Sequence, residues 1–304
     1  MSAWAFSTWR QQRLDEFELA LDQFIHINAP PSLLEPMRYA ALAGGKRMRP
    51  MLTMAAGEAI SGLATEHQSP LLRESVLRSA AAVECVHVYS LVHDDLPCMD
   101  DDAMRRGRPT THVQYGEAQA LLAGDALQAL AFELLSADVG LAPAIQVQWC
   151  RALSRAAGVM GMCGGQAIDI ASVGMPLSLE ELEHMHAGKT GALLRCALSL
   201  GAHAALATPE QVQALDAFGT RIGLAFQVID DVLDVTADSQ QLGKTAGKDA
   251  AHNKPTFVSL LGLDAARAYA RDLHDQAVQA LAQSGLRETR ALEALAEQVI
   301  VRTN

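Results

Sequence analysis

The sequence predicts an all-α protein. Three observations carry this: helix formers, alanine above all, dominate; β-branched alternation is nearly absent; and aromatic residues make up only 5% of the chain. Apolar residues recur at helical spacing over Leu14–His26, Leu71–His93, Glu117–Leu135, Val147–Cys163, Leu179–Leu200 and Pro209–Asp234. Breakers fall between them: Pro30-Pro31, Gly62, Pro97, Gly140 with Pro143, Gly174 with Pro176, Pro209, Gly243 with Gly247, and Pro255. Ser178 precedes Leu179-Glu180-Glu181 as an N-cap with acidic residues in the first turn. Thr208 stands before Pro209 in the same way, with proline at the first helical position. The pattern sums to about ten helices. No fixed-period repeat and no Pro/Ser-rich linker divides residues 1–304, so one domain is expected.

Hydrophobic residues are 50% and charged residues 19% of the 304, a globular composition able to bury a large core without staples. The formal charge of −11 argues against nucleic acid as the main ligand, but leaves room for a small anion at a locally basic site. The five cysteines form no CxxC pair, which suggests neither a disulfide framework nor a zinc site. The start, MSAWAFSTWRQQRLDEF, lacks a basic segment followed by an apolar core, and no unbroken run of 18 apolar residues occurs. A cytoplasmic protein with no membrane span is expected.

The segment Ala80–His93, AAAVECVHVYSLVH, is apolar nearly all round, as in a helix at the centre of a bundle. Asp94-Asp95-Leu96-Pro97-Cys98-Met99-Asp100-Asp101-Asp102 follows it directly, five aspartates in nine residues. Pro97 stops or kinks the helix, leaving Asp94 and Asp95 in its last turn, where the macrodipole disfavours anions. A second cluster is Phe226-Gln227-Val228-Ile229-Asp230-Asp231-Val232-Leu233-Asp234. There Asp230 and Asp234, at i and i+4, share one helical face among apolar neighbours. Each cluster alone reads as a solvated acidic surface. Two such clusters set against local electrostatics point to a hard divalent cation, and oxygen-only donors point to Mg²⁺.

Positive charge is also concentrated. Gly44-Gly45-Lys46-Arg47-Met48-Arg49-Pro50 holds three cations in four residues, and Arg105-Arg106-Gly107-Arg108-Pro109 follows the first acidic cluster. Glycines let backbone approach an anion closely, and arginine forks match phosphate oxygens. Next to the acidic clusters, they suggest recognition of a Mg²⁺-diphosphate.

These strings resemble the trans-isoprenyl diphosphate synthases: DDxxxxD followed by RRG, GGKRxRP upstream and FQxxDDxLD downstream. GGQAID, HAGKTGALL and DSQQLGKTAGKDAAHNKPTF match as well, so the likeness runs from about Tyr39 to Leu261. Within that family the chain is similar to bacterial-type farnesyl diphosphate synthases, or geranyltranstransferases. The resemblance implies an isoprenoid synthase fold, ten or more mostly antiparallel helices around a deep central cavity. It implies condensation of isopentenyl diphosphate with dimethylallyl, then geranyl, diphosphate, through ionisation, attack on the carbocation and proton loss. A homodimer is also implied.

Residue roles follow from the same resemblance. Asp94 and Asp100 would hold two Mg²⁺ (Mn²⁺ serving as well) against the allylic diphosphate, with Asp95 and Asp101 as helpers. Asp230, supported by Asp231 and Asp234, would hold a third. Arg105, Lys189, Lys244 and Lys254 would touch that diphosphate. Gly45, Lys46, Arg49, His87 and Arg106 would hold isopentenyl diphosphate without metal. On its own, a histidine on an apolar helix is more often a satisfied core residue; the resemblance puts His87 on the ligand. Thr190 and Gln227 would stabilise the cation through oxygen dipoles, with Gln166 and Asp169 lining the same wall. Tyr89, five residues before Asp94, lies ~7.5 Å deeper along a helix, though not quite on the same face. There it would stop the product at fifteen carbons, together with the two-residue expansion Pro97-Cys98. A synthase with a longer or shorter product remains open. Terpene cyclases lack GGKRxRP and replace the second aspartate motif, and inactive subunits lose one or both motifs, whereas both are intact here.

Overall fold

The computed structural model describes residues 4–25, 28–236 and 254–301. The helices are α1 (Phe6–Ile25), α2 (Pro31–Ala41), α3 (Met48–Ser61), α4 (Pro70–Asp94), α5 (Thr111–Tyr115), α6 (Glu117–Ser136), α7 (Pro143–Ala157), α8 (Met162–Ala171), α9 (Leu179–His186), α10 (Ala192–Ala204), α11 (Pro209–Thr236), α12 (Phe257–Leu261), α13 (Leu263–Ala282) and α14 (Arg290–Val301). One widened π-turn, Ala187–Gly191, joins α9 to α10. The expected helices and N-caps are present. Ser178 and Glu181 form a reciprocal capping box at α9, and Thr208 exchanges bonds with Gln211 at the start of α11.

The apolar helix read from the sequence is the hub. α4 packs on α3, α6 and α10; α10 also packs on α3 and α11, and α11 on α13. Val76, Ala80, Val83, Val86 and Val88 of α4 are all buried, as an all-round apolar helix requires. α1 is latched to this core by a buried carboxylate: Glu58 accepts from Trp9 Nε1 at 2.7 Å and from Arg13 Nε at 2.8 Å.

Two features depart from the sequence reading, and a third bears on the expectation of no membrane span. The segment taken as helical over 147–163 breaks at Gly158–Gly161 into α7 and α8. At Gly161 a Cβ would lie 2.1 Å from the Ala156 carbonyl oxygen, so only glycine allows this turn. A two-stranded antiparallel hairpin, β1 (Met104–Arg105) with β2 (Arg108–Pro109), interrupts the all-α pattern. Its corner residues Arg106 (φ 52°) and Gly107 (φ 73°) both have positive φ, the tight-turn geometry that suits the strand twist. Finally, α4 and α6 are long and apolar enough, by length and composition, to cross a membrane. Within the bundle, 78% of that window in α4 and 44% in α6 is buried.

Candidate active site

The first acidic cluster is shaped by how α4 ends. Pro97 stops the helix, and the following loop folds back over the freed carbonyls: Asp100 N–H donates to Asp94 O at 2.8 Å, Met99 N–H to Leu96 O at 2.8 Å and Asp102 N–H to Asp95 O at 3.2 Å. This fold-back sets Asp100 beside Asp94. Burial and then the Asp100 charge push the Asp94 carboxyl up to about 6, against the pull of Lys189. Gln166 Nε2 donates to Asp94 Oδ1 at 3.3 Å. Asp95 turns the other way. Its two oxygens accept from Arg105 Nε at 2.9 Å each, and Oδ1 also from Nη2 at 2.5 Å. Asp101 is exposed, with a left-handed backbone.

Two adjoining cavities meet along Arg49, His87, Leu91 and Thr190. The first, of about 450 Å³, is cationic; its walls include Gly45, Lys46, Arg49, Arg105, Arg106 and, from α11, Asp230. The second, of about 380 Å³, runs between α4 and α8 past Tyr89, Met162, Cys163 and Ile170, with Asp94, Gln166 and Lys189 on its polar side. In the cationic cavity the Arg106 guanidinium donates to Gly44 O and covers Gly45, where a Cβ would lie 2.6 Å from its Cζ. Arg49 is half-buried; its Nε is enclosed with no partner among the described residues, and burial lowers its pKa to about 10. Burial, then the charges of Arg49, Arg106 and Arg105, hold His87 well below the usual imidazole range, so it is neutral near pH 7.

Lys189 and Thr190 are presented by the π-turn, a distortion common at functional sites. Gly165 of α8 makes this approach possible, since a Cβ there would lie 2.1 Å from Lys189 N. Lys189 Nζ lies 2.5 Å from Asp169 Oδ2, and Lys254 Nζ lies 3.9 Å from the same oxygen and 3.7 Å from Asp100 Oδ1. Burial alone would raise the Asp169 carboxyl, but the two lysines hold it below its ordinary value. On α11, Asp231 is buried. Its Oδ1 accepts from Gln227 Nε2 at 2.9 Å and its Oδ2 from Phe257 N–H at 2.8 Å. Asp234 is buried, and its Oδ1 has no hydrogen-bond partner among the described residues.

The structure therefore brings Gly45, Lys46, Tyr89, His87, Arg49, Asp94, Arg105, Arg106, Gln166, Lys189, Thr190 and Asp230 onto the two cavities. Asp169 pairs with Lys189, and Lys254 lies between Asp169 and Asp100. Asp95 and Asp231 are occupied by protein donors, and Asp100, Asp101, Asp234 and Gln227 border neither cavity. Lys244 lies outside the described residues. The sequence reading gave no role to Arg47, Glu84 or Cys163. A charged residue inside the apolar run of α4 was the available signal for Glu84. The Cys163 Sγ lies 3.9 Å from the Tyr89 hydroxyl across the apolar cavity, and nothing in the sequence marked it.

The site is thus an apolar chamber with Asp94 on its polar side, opening beside an arginine-lined anion cavity that carries Asp230. The chain belongs to the polyprenyl synthetase family, whose pattern matches residues 30–295. It is 48% identical over 275 residues to the farnesyl diphosphate synthase of Escherichia coli strain K12, covering 89% of each chain. It is 45% identical over 287 residues to a chloroplastic geranylgeranyl pyrophosphate synthase of Capsicum annuum, covering 94% of this chain and 75% of the other. A crystal structure of a Helicobacter pylori geranyltransferase, complexed with magnesium and isoprenyl diphosphate, superposes with a TM-score of 0.85 at 36% identity, covering 99% of this chain and 98% of that one. The fold is thus the all-α isoprenoid synthase fold.

Proposed function

We propose that the chain makes farnesyl diphosphate by adding isopentenyl diphosphate to dimethylallyl and then geranyl diphosphate. The observation that carries this reading is the junction of the two cavities at Arg49, His87, Leu91 and Thr190. A diphosphate in the cationic cavity and a hydrocarbon tail in the apolar one would place their reactive carbons at that junction.

The donor set suits Mg²⁺. Carboxylate oxygens alone are offered, Asp94 carries charge that burial disfavours, and Asp234 Oδ1 is buried without a partner among the described residues. Among those residues no three His, Cys, Asp or Glu side chains converge to hold an ion, so substrate oxygens and water would complete its shell. Asp94 and Asp100 on one wall and Asp230 on the other would hold it, three ions per loaded site, with Mn²⁺ as a substitute. Bound there, the metal supplies Lewis-acid neutralisation of the departing diphosphate.

The protein residues do the rest. Lys189, Lys254 and Arg105 hold the allylic diphosphate while its C–O bond breaks and the electron pair leaves with the phosphate oxygen. Lys244 joins them by family resemblance. Lys46, Arg49, Arg106 and the neutral His87 hold isopentenyl diphosphate, with the Gly45 backbone close by, so that its double bond faces the allylic cation. Thr190 Oγ1, its proton held by Gln227 Oε1, turns its oxygen dipole toward that cation, and the apolar walls exclude water. Loss of a proton from the adduct restores the alkene. Asp95 acts by orienting Arg105, and Asp231 by orienting Gln227.

A fifteen-carbon product is favoured over twenty because the Tyr89 ring stands on the wall of the apolar cavity, in the way of a longer tail. Its ring is braced edge-on by His93 at 5.7 Å. Residues 1–304 act as one domain. Two subunits associate through α6, α7 and the α7–α8 turn, where Leu121, Leu122, Val147, Val159 and Met160 are exposed. The five free thiols fit a reducing cytoplasm.

The test is diphosphate release from geranyl and isopentenyl diphosphates together, with Mg²⁺ and then with excess chelator. Release only when both substrates and the metal are present supports the reading. Equal release in chelator, or with isopentenyl diphosphate omitted, contradicts it.

A further inference from the structure

The three cations of Lys46-Arg47-Met48-Arg49 are not equivalent. Lys46, Arg47 and Arg49 all border the anion cavity, but the Arg47 side chain has no exposed surface and every nitrogen of its guanidinium is engaged. Nε donates to Glu18 Oε1 at 2.7 Å, Nη2 to Glu18 Oε2 at 3.2 Å and to Ala41 O at 2.7 Å, and Nη1 to Glu84 Oε1 at 2.8 Å. These bonds draw α1, the end of α2 and α4 onto one loop. They also hold Arg47 at φ 48° and ψ 37°, a left-handed backbone that side-chain-bearing residues seldom adopt.

Glu84 is the harder residue to explain. It is a carboxylate only 2% exposed, on the wall of a cavity that must accept a diphosphate. It acts electrostatically on Arg49 and Arg106 as well as on Arg47. A buried carboxylate demands a cation, and Arg49 lines the same cavity as Glu84. Yet Glu84 pairs with Arg47, and Arg49 keeps its Nε without a partner among the described residues.

We propose that Arg47 is a positioning residue that sequesters Glu84, so that Arg49 stays available to the diphosphate of isopentenyl diphosphate. This rests on the reading of the cationic cavity given above. The fork is what matters: arginine can satisfy two carboxylates and a carbonyl at once, whereas a lysine ammonium at the end of a flexible stem cannot reproduce that geometry. Without it, Glu84 turns to Arg49, and the anion site loses a cation while keeping a negative charge.

This role differs measurably from that of a simple loop staple. In Arg47→Lys, the dissociation constant for isopentenyl diphosphate, titrated calorimetrically in chelator, rises at least about tenfold. The KM for geranyl diphosphate stays within about twofold. Adding Glu84→Gln to Arg47→Lys restores most of the lost affinity, because the competing carboxylate is gone. A staple predicts the opposite, a double variant no better than the single one. Should Arg47→Lys fail to fold, Glu18→Gln loosens the same fork from α1, where the side chain is 33% exposed, and raises that dissociation constant about threefold. Unchanged affinity in the folded single variants, or no recovery in the double variant, overturns the proposal. Wild-type protein that fails to bind isopentenyl diphosphate at all would instead overturn the functional reading on which it rests.

Discussion

Thr190 Oγ1 donates to Gln227 Oε1 across 3.1 Å, joining the π-turn to α11 at the junction of the two cavities. The Gln227 amide is not free to turn, because its nitrogen donates to Asp231 Oδ1 at 2.9 Å, and Asp231 is itself held by the Phe257 N–H. The middle carboxylate of the second acidic motif therefore fixes which end of the amide meets Thr190.

Replacing Asp231 with Asn removes the charge that fixes this orientation and offers an amide that competes as a donor. Turnover should fall about ten- to a hundredfold with KM values little changed, and stability should drop by roughly 1–3 kcal/mol. Steady-state kinetics and urea unfolding check both. Wild-type turnover in a folded Asp231→Asn protein would mean that the amide needs no fixing.

Asp94 should affect activity and stability in opposite senses. Its carboxyl, raised to about 6 in the fold against 3.8 in the open chain, makes the charged form unfavourable to folding above pH 6. That penalty fades as pH falls toward 3.8. Asp94→Asn, unfolded in chelator at pH 7, should gain up to roughly 3 kcal/mol. The same variant should lose about a thousandfold in turnover, the loss of roughly 4 kcal/mol of transition-state stabilisation. A metal-free variant less stable than wild type would contradict the charge argument.

His186 is buried between the π-turn and Phe257, with both ring nitrogens unpartnered among the described residues. Burial, then the nearby Lys189 charge, lowers its pKa to about 4. The folded state resists the proton that the unfolded chain takes up below its ordinary 6.5. Stability is therefore complete above that value and is lost as pH falls toward 4. Between pH 7 and pH 5 this one group should cost roughly 2 kcal/mol. Chemical unfolding of His186→Gln should show a pH dependence smaller than that of wild type by this amount. Identical dependence in the two proteins would exclude the histidine as its source.

Gly165→Ala tests the close packing behind Lys189. The added Cβ would stand 2.1 Å from Lys189 N and 2.6 Å from its Cα, so the π-turn must move. A destabilisation of roughly 1–3 kcal/mol is expected, with turnover reduced about tenfold or more because Lys189 and Thr190 shift together. If turnover is unaffected in the folded variant, the placement of the π-turn does not govern catalysis.

Much of this arrangement was legible in the sequence, for local physical reasons. The end of α4 at Asp94 follows from Pro97, the caps at Ser178 and Thr208 from their side chains, and the central place of α4 from its all-round apolarity. The hairpin that presents Arg105 and Arg106 was not legible, because strands of two residues carry no alternation. The π-turn was not legible either, since one extra residue in a helical turn barely disturbs apolar spacing. The division of labour within each aspartate pair was hidden for another reason. Asp94 and Asp95, or Asp230 and Asp231, differ only in which side of the helix faces the cavity. That is set by partners distant in sequence, Arg105 for Asp95 and Phe257 for Asp231. Cys163 reaches its cavity by packing alone, and Glu84 is marked in the sequence only as a charge inside an apolar run.

The most direct test of the account is the chain-length distribution of products from labelled isopentenyl diphosphate and dimethylallyl diphosphate with Mg²⁺, measured for wild type and Tyr89→Ala side by side. The Tyr89 ring lies in the apolar cavity, 6% exposed, with its hydroxyl against Cys163. The account predicts a fifteen-carbon diphosphate from the wild type, with products of twenty carbons or more appearing once the ring is removed. No elongation by the wild type, or an unchanged fifteen-carbon product from a folded Tyr89→Ala protein, would contradict it.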